Sequence, residues 1–242
     1  MRRLVFLLGV AIPFALTLTI TSTLTGCGGR GDIAPASAQR FTRIQWLGHK
    51  SFRITSGIGT TILTNPYAGR MGGRALPSPL KSDIVLITAE RPDSNNINAI
   101  DNQPAIVRGG VGIGVNSITG IPIRGIPSYR NPEIPSSDGM NLAYTWVMDG
   151  VRFCFAGHLA RPLDGEQLAQ IGTVDVLFLP VDTLSASARE QVVAQLRPKL
   201  VIPIGQGARG WSVGEVLTAP ADGLMLSRQM LPQQTATLFL AQ

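Results

Sequence analysis

The chain has 242 residues, of which 44% are hydrophobic and 15% charged. This composition excludes an intrinsically disordered protein, and the length suffices for one sizeable domain. The 21 Lys and Arg residues outnumber the 15 Asp and Glu residues, which gives a net charge of +6. Because the basic residues are scattered singly and not interleaved with aromatic side chains, the sequence argues against a nucleic-acid-binding face.

The first 27 residues have the organisation of a bacterial secretion signal. Two arginines precede an apolar stretch that runs from Leu4 to Ile20. The segment that follows, Leu24-Thr25-Gly26-Cys27, resembles a lipobox, in which the cysteine is lipidated and becomes the mature N-terminus. We therefore predict a lipoprotein signal peptide over residues 1–26.

Cys27 then anchors the mature protein to a membrane. Residues 27–40 are the lipidated cysteine and a flexible tether, and residues 41–242 are the domain that it carries. This organisation predicts a location in the bacterial cell envelope, on the extracytoplasmic side of a membrane. An uncleaved membrane helix and plain secretion remain as alternatives, since about 20 apolar residues also suffice to span a bilayer. Cys154, which would have no disulfide partner, is expected to be a buried thiol.

Short strands and turns dominate the first part of the domain, with a single short helix expected near residues 94–101. Alternating and apolar runs predict strands at residues 42–47, 51–55, 60–64, 83–88, 104–108, 115–118 and 121–125. The clearest local pattern is a hairpin with strands at 142–148 and 151–156. Its Asp149-Gly150 turn is typical of type I′.

The second part alternates between helix and strand. Helices are predicted at residues 164–171, 185–197 and near 212–218, and strands at 174–180, 200–204 and 235–240. Hairpins followed by such an alternation predict an α+β domain, with two sheets and helices on the outside.

Six segments in this order resemble the pattern of one enzyme family, whose first segment contains Gly-His-small-small-Phe. They are IQWLGHKSFRI (44–54), TILTNPY (61–67), DIVLIT (83–88), Gly157 after a strand, VDVLFLP (174–180) and RPKLVIP (197–203). Their order and spacing resemble the metallo-β-lactamase superfamily, in its L-ascorbate-6-phosphate lactonase-like branch. The resemblance implies an αββα four-layer sandwich with a dinuclear metal site where the two sheets share an edge.

The same resemblance implies that most of the metal ligands are missing. The family's Thr-His-x-His-x-Asp-His falls on residues 88–94, where Ala89, Arg91 and Ser94 replace the histidines and only Asp93 is retained. The other ligand positions also depart from the family: no histidine occurs at 126–130, His158 replaces the bridging aspartate, Gly205 or Gln206 replaces the last histidine, and Asn65 replaces the aspartate of Asp-Pro-Tyr.

Two relic ligand positions, Asp93 and His158, do not supply the three ligands that a catalytic zinc typically needs. Arg91 would also place a permanent cation near the metal position. Without a metal there is no activated water to act as nucleophile. We therefore expect no catalytic residue, no metal and no cofactor, and interpret the protein as a pseudoenzyme with a binding or scaffolding role.

The remaining polar residues define a candidate pocket for an unidentified small molecule or protein, formed by His49, Glu90, Arg91, Asp93, Tyr129 and His158. A simpler expectation is a salt bridge from Arg91 to Asp93 or Glu90 that fills the former metal site. One alternative is a metal-dependent hydrolase, lactonase-like or phosphodiesterase-like, with a mononuclear zinc site rebuilt from Asp93 and His158, with or without Glu90. Another is metal-free acid–base catalysis by His49 or His158 beside Asp93 or Asp164.

Overall fold

The structure is a computed structural model that describes residues 39–71, 73–130, 139–220 and 222–241. The predicted signal peptide, Cys27 and all but the last two residues of the tether lie outside these ranges. Within them, no helix has the length and apolar character needed to cross a membrane.

The described residues form two large sheets, a two-stranded ribbon and two α-helices. The strands are β1 (Thr42–Gly48), β2 (Ser51–Thr55), β3 (Thr61–Thr64), β4 (Arg70–Met71), β5 (Arg74–Ala75), β6 (Ile84–Leu86), β7 (Ala105–Val107), β8 (Gly114–Ile118), β9 (Ile121–Tyr129), β10 (Met140–Met148), β11 (Val151–Phe155), β12 (Val176–Pro180), β13 (Leu200–Ile204), β14 (Glu215–Ala219), β15 (Leu224–Leu226) and β16 (Ala236–Leu240). The helices are α1 (Gly165–Ile171) and α2 (Ala186–Leu196).

The two large sheets each combine antiparallel hairpins with parallel strands. The six-stranded sheet has the order β15-β1-β2-β3-β6-β7, and the eight-stranded sheet has the order β14-β16-β13-β12-β11-β10-β9-β8. Strands β3, β6 and β7 are parallel to one another, as are β11, β12 and β13. Because parallel strands end at the same edge of their sheet, the loops that follow them are brought together.

The main core lies between the two sheets. Phe52 of the six-stranded sheet packs edge-on against Phe178 of the eight-stranded sheet, with ring centroids 4.9 Å apart. A second core joins the outer face of the eight-stranded sheet to the helices, with Val192 of α2 fully buried. The outer face of the six-stranded sheet is covered by the loops before and after β6, which contribute Leu80 and Ile97 respectively. These layers confirm the predicted fold class. Among the described residues, loops and a 3₁₀ turn cover the outer face of the six-stranded sheet.

Both α-helices begin where the sequence predicts. Asp164 accepts a hydrogen bond from the backbone of Gln167, whose side chain binds back to the backbone of Asp164, so that the two form a capping box. Ser185 caps α2 by accepting from the backbone of Ala188. Local side-chain chemistry therefore fixes the start of each helix.

The predicted hairpin is confirmed, whereas one predicted helix is wrong. Asp149 and Gly150 have φ of 50° and 78°, as a type I′ turn requires. The helix predicted near 212–218 is replaced by β14, which pairs in parallel with β16. The helix predicted near 94–101 is reduced to one 3₁₀ turn, Ile97–Ala99. As expected, Cys154 is a buried free thiol, and burial raises its pKa to about 12.

Candidate functional site

Polar side chains from both sheets meet at one shared edge. They come from the loops that follow β3, β6, β11 and β12 and from the tight turn between β1 and β2. The main contributors are His49, Lys50, Asn65, Thr88, Asp93, His158 and Asp182. We call this set the edge cluster.

Asp93 is the centre of the edge cluster. Its Oδ2 lies 3.0 Å from Nε2 of His158 and 3.5 Å from Nε2 of His49. Its Oδ1 lies 3.5 Å from Nε of Arg91 and accepts a hydrogen bond from Ser94. The His158 contact is a well-formed hydrogen bond, whereas His49 Nε2 is buried within ion-pair distance but without hydrogen-bond geometry.

A chain of hydrogen bonds fixes the tautomer of His158. Oδ1 of Asn65 accepts from the backbone N–H of Thr88, so Nδ2 of Asn65 is the atom that donates to the Thr88 hydroxyl. The Thr88 hydroxyl can then donate its own proton to Nδ1 of His158, at 3.0 Å. Because the Asp93 carboxylate can only accept, a neutral His158 ring carries its proton on Nε2, and Nδ1 then accepts from Thr88.

The electrostatics agree with this assignment. Burial would raise the pKa of Asp93, but the hydrogen bond from His158, the nearby imidazole of His49 and the charge of Lys50 hold it well below its usual range. Burial lowers the pKa of His158, and this exceeds the opposing effect of its hydrogen bond to Asp93. At neutral pH, the pair is therefore a carboxylate that accepts from a neutral imidazole.

The backbone around His158 is fixed by two features. Its N–H donates to Oδ1 of Asn141 at 2.7 Å, and Nδ2 of Asn141 donates to the carbonyl of Ala156. Gly157 has φ of 60°, and a Cβ there would lie 2.4 Å from Cβ of Thr88. Only glycine therefore allows His158 to approach Thr88 this closely.

Two other residues of the edge cluster have a left-handed backbone. His49 has φ of 47° and Asn65 has φ of 40°, values that non-glycine residues seldom adopt. The indole N–H of Trp46 holds the turn at His49 by donating to its carbonyl. Such strain persists only where the surroundings fix it, and it is concentrated in functional sites.

Lys50 is a buried cation beside this group. Its side chain is 1% exposed, and Nζ lies 3.0 Å from Oδ1 of Asp182. Burial lowers the pKa of Lys50, and the charge and hydrogen bond of Asp182 offset part of this effect. Gly205 makes room for the pair, because a Cβ there would lie 2.5 Å from the carboxyl carbon of Asp182.

A cavity of about 360 Å³ borders the edge cluster on the side of His49. We call it the His49 cavity. Its lining comes from the first two strands, from β4, and from β13, β16 and the loop after β13.

Comparison with known proteins identifies the family. Residues 43–205 match a family model described as a beta-lactamase superfamily domain. The chain belongs to the metallo-β-lactamase superfamily. This confirms the superfamily predicted from the motifs.

Individual proteins resemble this chain in sequence or in structure. A protein of Archaeoglobus fulgidus that is named a metal-dependent hydrolase is 23% identical over 191 residues, which are 67% of this chain and 82% of that protein. A Thermotoga maritima structure, a proposed zinc-dependent hydrolase of the metallo-β-lactamase superfamily, has a TM-score of 0.64 at 19% identity and covers 82% of this chain and 98% of its own. A proposed metal-dependent hydrolase of Parabacteroides distasonis has a TM-score of 0.52 at 21% identity, with 67% and 81% covered. At these identities the two structures establish the shared fold alone.

The metallo-β-lactamase fold implies a metal, and the residues of this chain fit one poorly. Among the described residues, no group of three or more His, Cys, Asp or Glu side chains is arranged to hold a metal ion. The proton on Nε2 of His158 faces Asp93, so that no lone pair of this nitrogen is free on that side. Lys50 and Arg91 bring two positive charges to the two carboxylates of Asp93 and Asp182. A divalent cation would therefore add to charges that already balance.

The structure brings together four of the six residues of the predicted pocket, namely His49, Arg91, Asp93 and His158. Glu90 instead pairs with Arg108 through two hydrogen bonds, the principal cause of its lowered pKa. Tyr129 ends β9 opposite Met140, and no hydrogen bond or ion pair joins it to the described part of the edge cluster. The sequence predicts a salt bridge from Arg91 to either Asp93 or Glu90, and the structure forms the one with Asp93.

Sequence reasoning missed the buried ion pair. Lys50 occupies the first small-residue position of the Gly-His-small-small-Phe pattern, so a long charged side chain in that place was an available signal. Asp182 follows β12 after one residue and carries no local pattern that distinguishes it. Asp164, which was considered as a partner for a catalytic histidine, caps α1 instead.

Proposed function

We propose that this protein is a lipid-anchored, metal-free member of the metallo-β-lactamase superfamily that binds a ligand and does not hydrolyse one. The observation that carries the proposal is the edge cluster, whose carboxylates are already balanced by Lys50 and Arg91. In a catalytic zinc site these carboxylates and imidazoles would face the ion and leave one position for water. Here they bind one another.

The proposal is supported by how many contacts a metal would have to disrupt. Binding through Nε2 of His158 requires the ring proton to move to Nδ1, and the Thr88 hydroxyl must then change from donor to acceptor and redirect its own proton. The ion would also stand beside the charges of Lys50 and Arg91. Each of these costs opposes metal binding.

Hydrolysis assays test the proposal. We expect the purified domain, residues 41–242, to show no turnover of ester, lactone or phosphodiester substrates above the buffer rate, with or without added zinc. The reason is that no described group of residues provides a metal-activated water. Turnover that is abolished by EDTA and restored by zinc would contradict this expectation.

One observation favours a second candidate, a metal-dependent hydrolase with a mononuclear site. Asp93 and His158 lie together, His49 lies within 3.5 Å of the same carboxylate oxygen, and a relative is named a metal-dependent hydrolase. Glu90, the third ligand of that candidate, would have to leave Arg108. Zinc-restored turnover in the assay above would support this candidate.

The lipid anchor has its own test. We expect wild-type protein in the membrane fraction, labelled by a palmitate analogue, and Cys27→Ser protein without the label. Cys154→Ser is the matched control, because it removes the other cysteine and should leave the label in place. An unlabelled wild-type protein that stays in the membrane at precursor mass would instead support the uncleaved helix.

A further inference from the structure

The His49 cavity has apolar walls on two opposite sides. Trp46 and Phe52 line it from the six-stranded sheet, Met71 from the ribbon, and Ile202 and Leu238 from the eight-stranded sheet. Its volume of about 360 Å³ falls within the usual range for small-molecule sites, roughly 300–1,000 Å³. The cavity is therefore large enough for a small organic molecule, and most of its surface favours an apolar one.

The charge of the lining is one-sided. Among the described residues of the lining, Arg209 carries a permanent charge and no Asp or Glu accompanies it. Its Nη2 donates to the carbonyl of Leu240 at 3.0 Å, which holds the guanidinium in place. Since a guanidinium has five N–H donors, others remain for an acid group of a ligand.

We propose that the His49 cavity binds a small organic monoanion, with its acid group at Arg209 and its apolar body between the two walls. This inference rests on the proposed binding role and names the class of ligand. Such binding requires no metal, because Arg209, Gln206 and the backbone of the loop after β13 line the cavity and would supply the polar contacts to the ligand.

Two matched fluorescent probes test the proposal. 8-Anilinonaphthalene-1-sulfonate carries one sulfonate, whereas N-phenyl-1-naphthylamine has the same ring system without the charge. With folded domain, we expect one saturable site for the sulfonate and weaker binding of the neutral probe. Equal affinity for the two probes would overturn the assignment of an anion.

Variants locate the site. Arg209→Gln should weaken sulfonate binding about tenfold, as the loss of one charge-assisted hydrogen bond implies, and leave the neutral probe unchanged. Ala208→Phe, at the half-buried edge of the cavity, should fill the space and weaken both probes. Arg124→Gln is the control, because Arg124 lines a different, more open cavity of about 390 Å³ on the eight-stranded sheet. Loss of sulfonate binding in the control but not in Arg209→Gln would overturn the proposal.

Zinc content is measured on the same preparations. Probe binding that follows the charge of Arg209 in a protein that also holds zinc would support the ligand site and contradict the metal-free proposal. A protein without zinc that binds neither probe would contradict the ligand site alone. Near-ultraviolet circular dichroism confirms that each variant is folded, because partly folded chains also bind the sulfonate.

Discussion

Replacing Lys50 by Met is expected to lower the free energy of unfolding by about 3 kcal/mol, the lower end for a broken buried ion pair. Methionine is unbranched and keeps most of the length of the side chain but leaves Asp182 without its cation. The lower end applies because the Asp182 side chain remains 20% exposed and water can compensate part of the loss. Urea unfolding at pH 7 measures the change.

Two further variants make this result specific to the ion pair. In Lys50→Met combined with Asp182→Asn, we expect much of the stability to return, since no uncompensated charge is left. Lys81→Met, at an exposed position, should change stability by less than about 0.5 kcal/mol. Equal effects of Lys50→Met and Lys81→Met would show that the buried pair contributes nothing.

Replacing Asp93 by Asn is expected to cost roughly 1.5–3 kcal/mol at pH 7, the usual range for a hydrogen bond to a charged group. The substitution keeps the shape but removes the negative charge that His158, Arg91 and Lys50 face. Ser94→Ala, which removes one hydrogen bond from a neutral hydroxyl to Oδ1 and leaves the charge of Asp93 in place, is the matched control and should cost less.

The pH dependence of this difference follows from the lowered pKa of Asp93. A carboxyl whose pKa is lower in the folded state stabilises the fold fully above its unfolded pKa of about 3.9. That contribution is lost as the pH falls from there towards the pKa in the folded state, because protonation of the carboxyl then stabilises the unfolded chain. The stability difference between wild type and Asp93→Asn should therefore shrink below about pH 4. A difference that stays constant down to pH 2 would contradict the lowered pKa.

Local chemistry explains which elements the sequence could predict. The Asp149-Gly150 turn and the caps at Asp164 and Ser185 depend on residues close in the chain, and all three are where the pattern places them. The segment near 212–218 depends instead on β16, which is more distant in sequence. The hydroxyl of Thr237 in β16 accepts from the backbone N–H of Val213 and donates to its carbonyl. Such distant pairing overrides local helix propensity, so the predicted helix is a strand.

The site, like the fold, was predictable only where residues close in the chain determine it. Family positions placed His49, Arg91, Asp93 and His158 together, because motifs fix which strand ends carry them. The Lys50–Asp182 pair was not predictable, since it depends on two sheets meeting at one edge and on the space that Gly205 leaves. The partner of the buried Lys50 charge is thus revealed only by the tertiary structure.

We propose that the positive charges of Lys50 and Arg91 take the place of the metal of the family. Metal analysis of the wild-type domain, refolded with excess zinc and dialysed, tests it most directly. We predict less than about a tenth of an equivalent of zinc per chain, because the carboxylates are already neutralised. One or more equivalents of zinc, removed by EDTA and regained on adding zinc back, would contradict the claim.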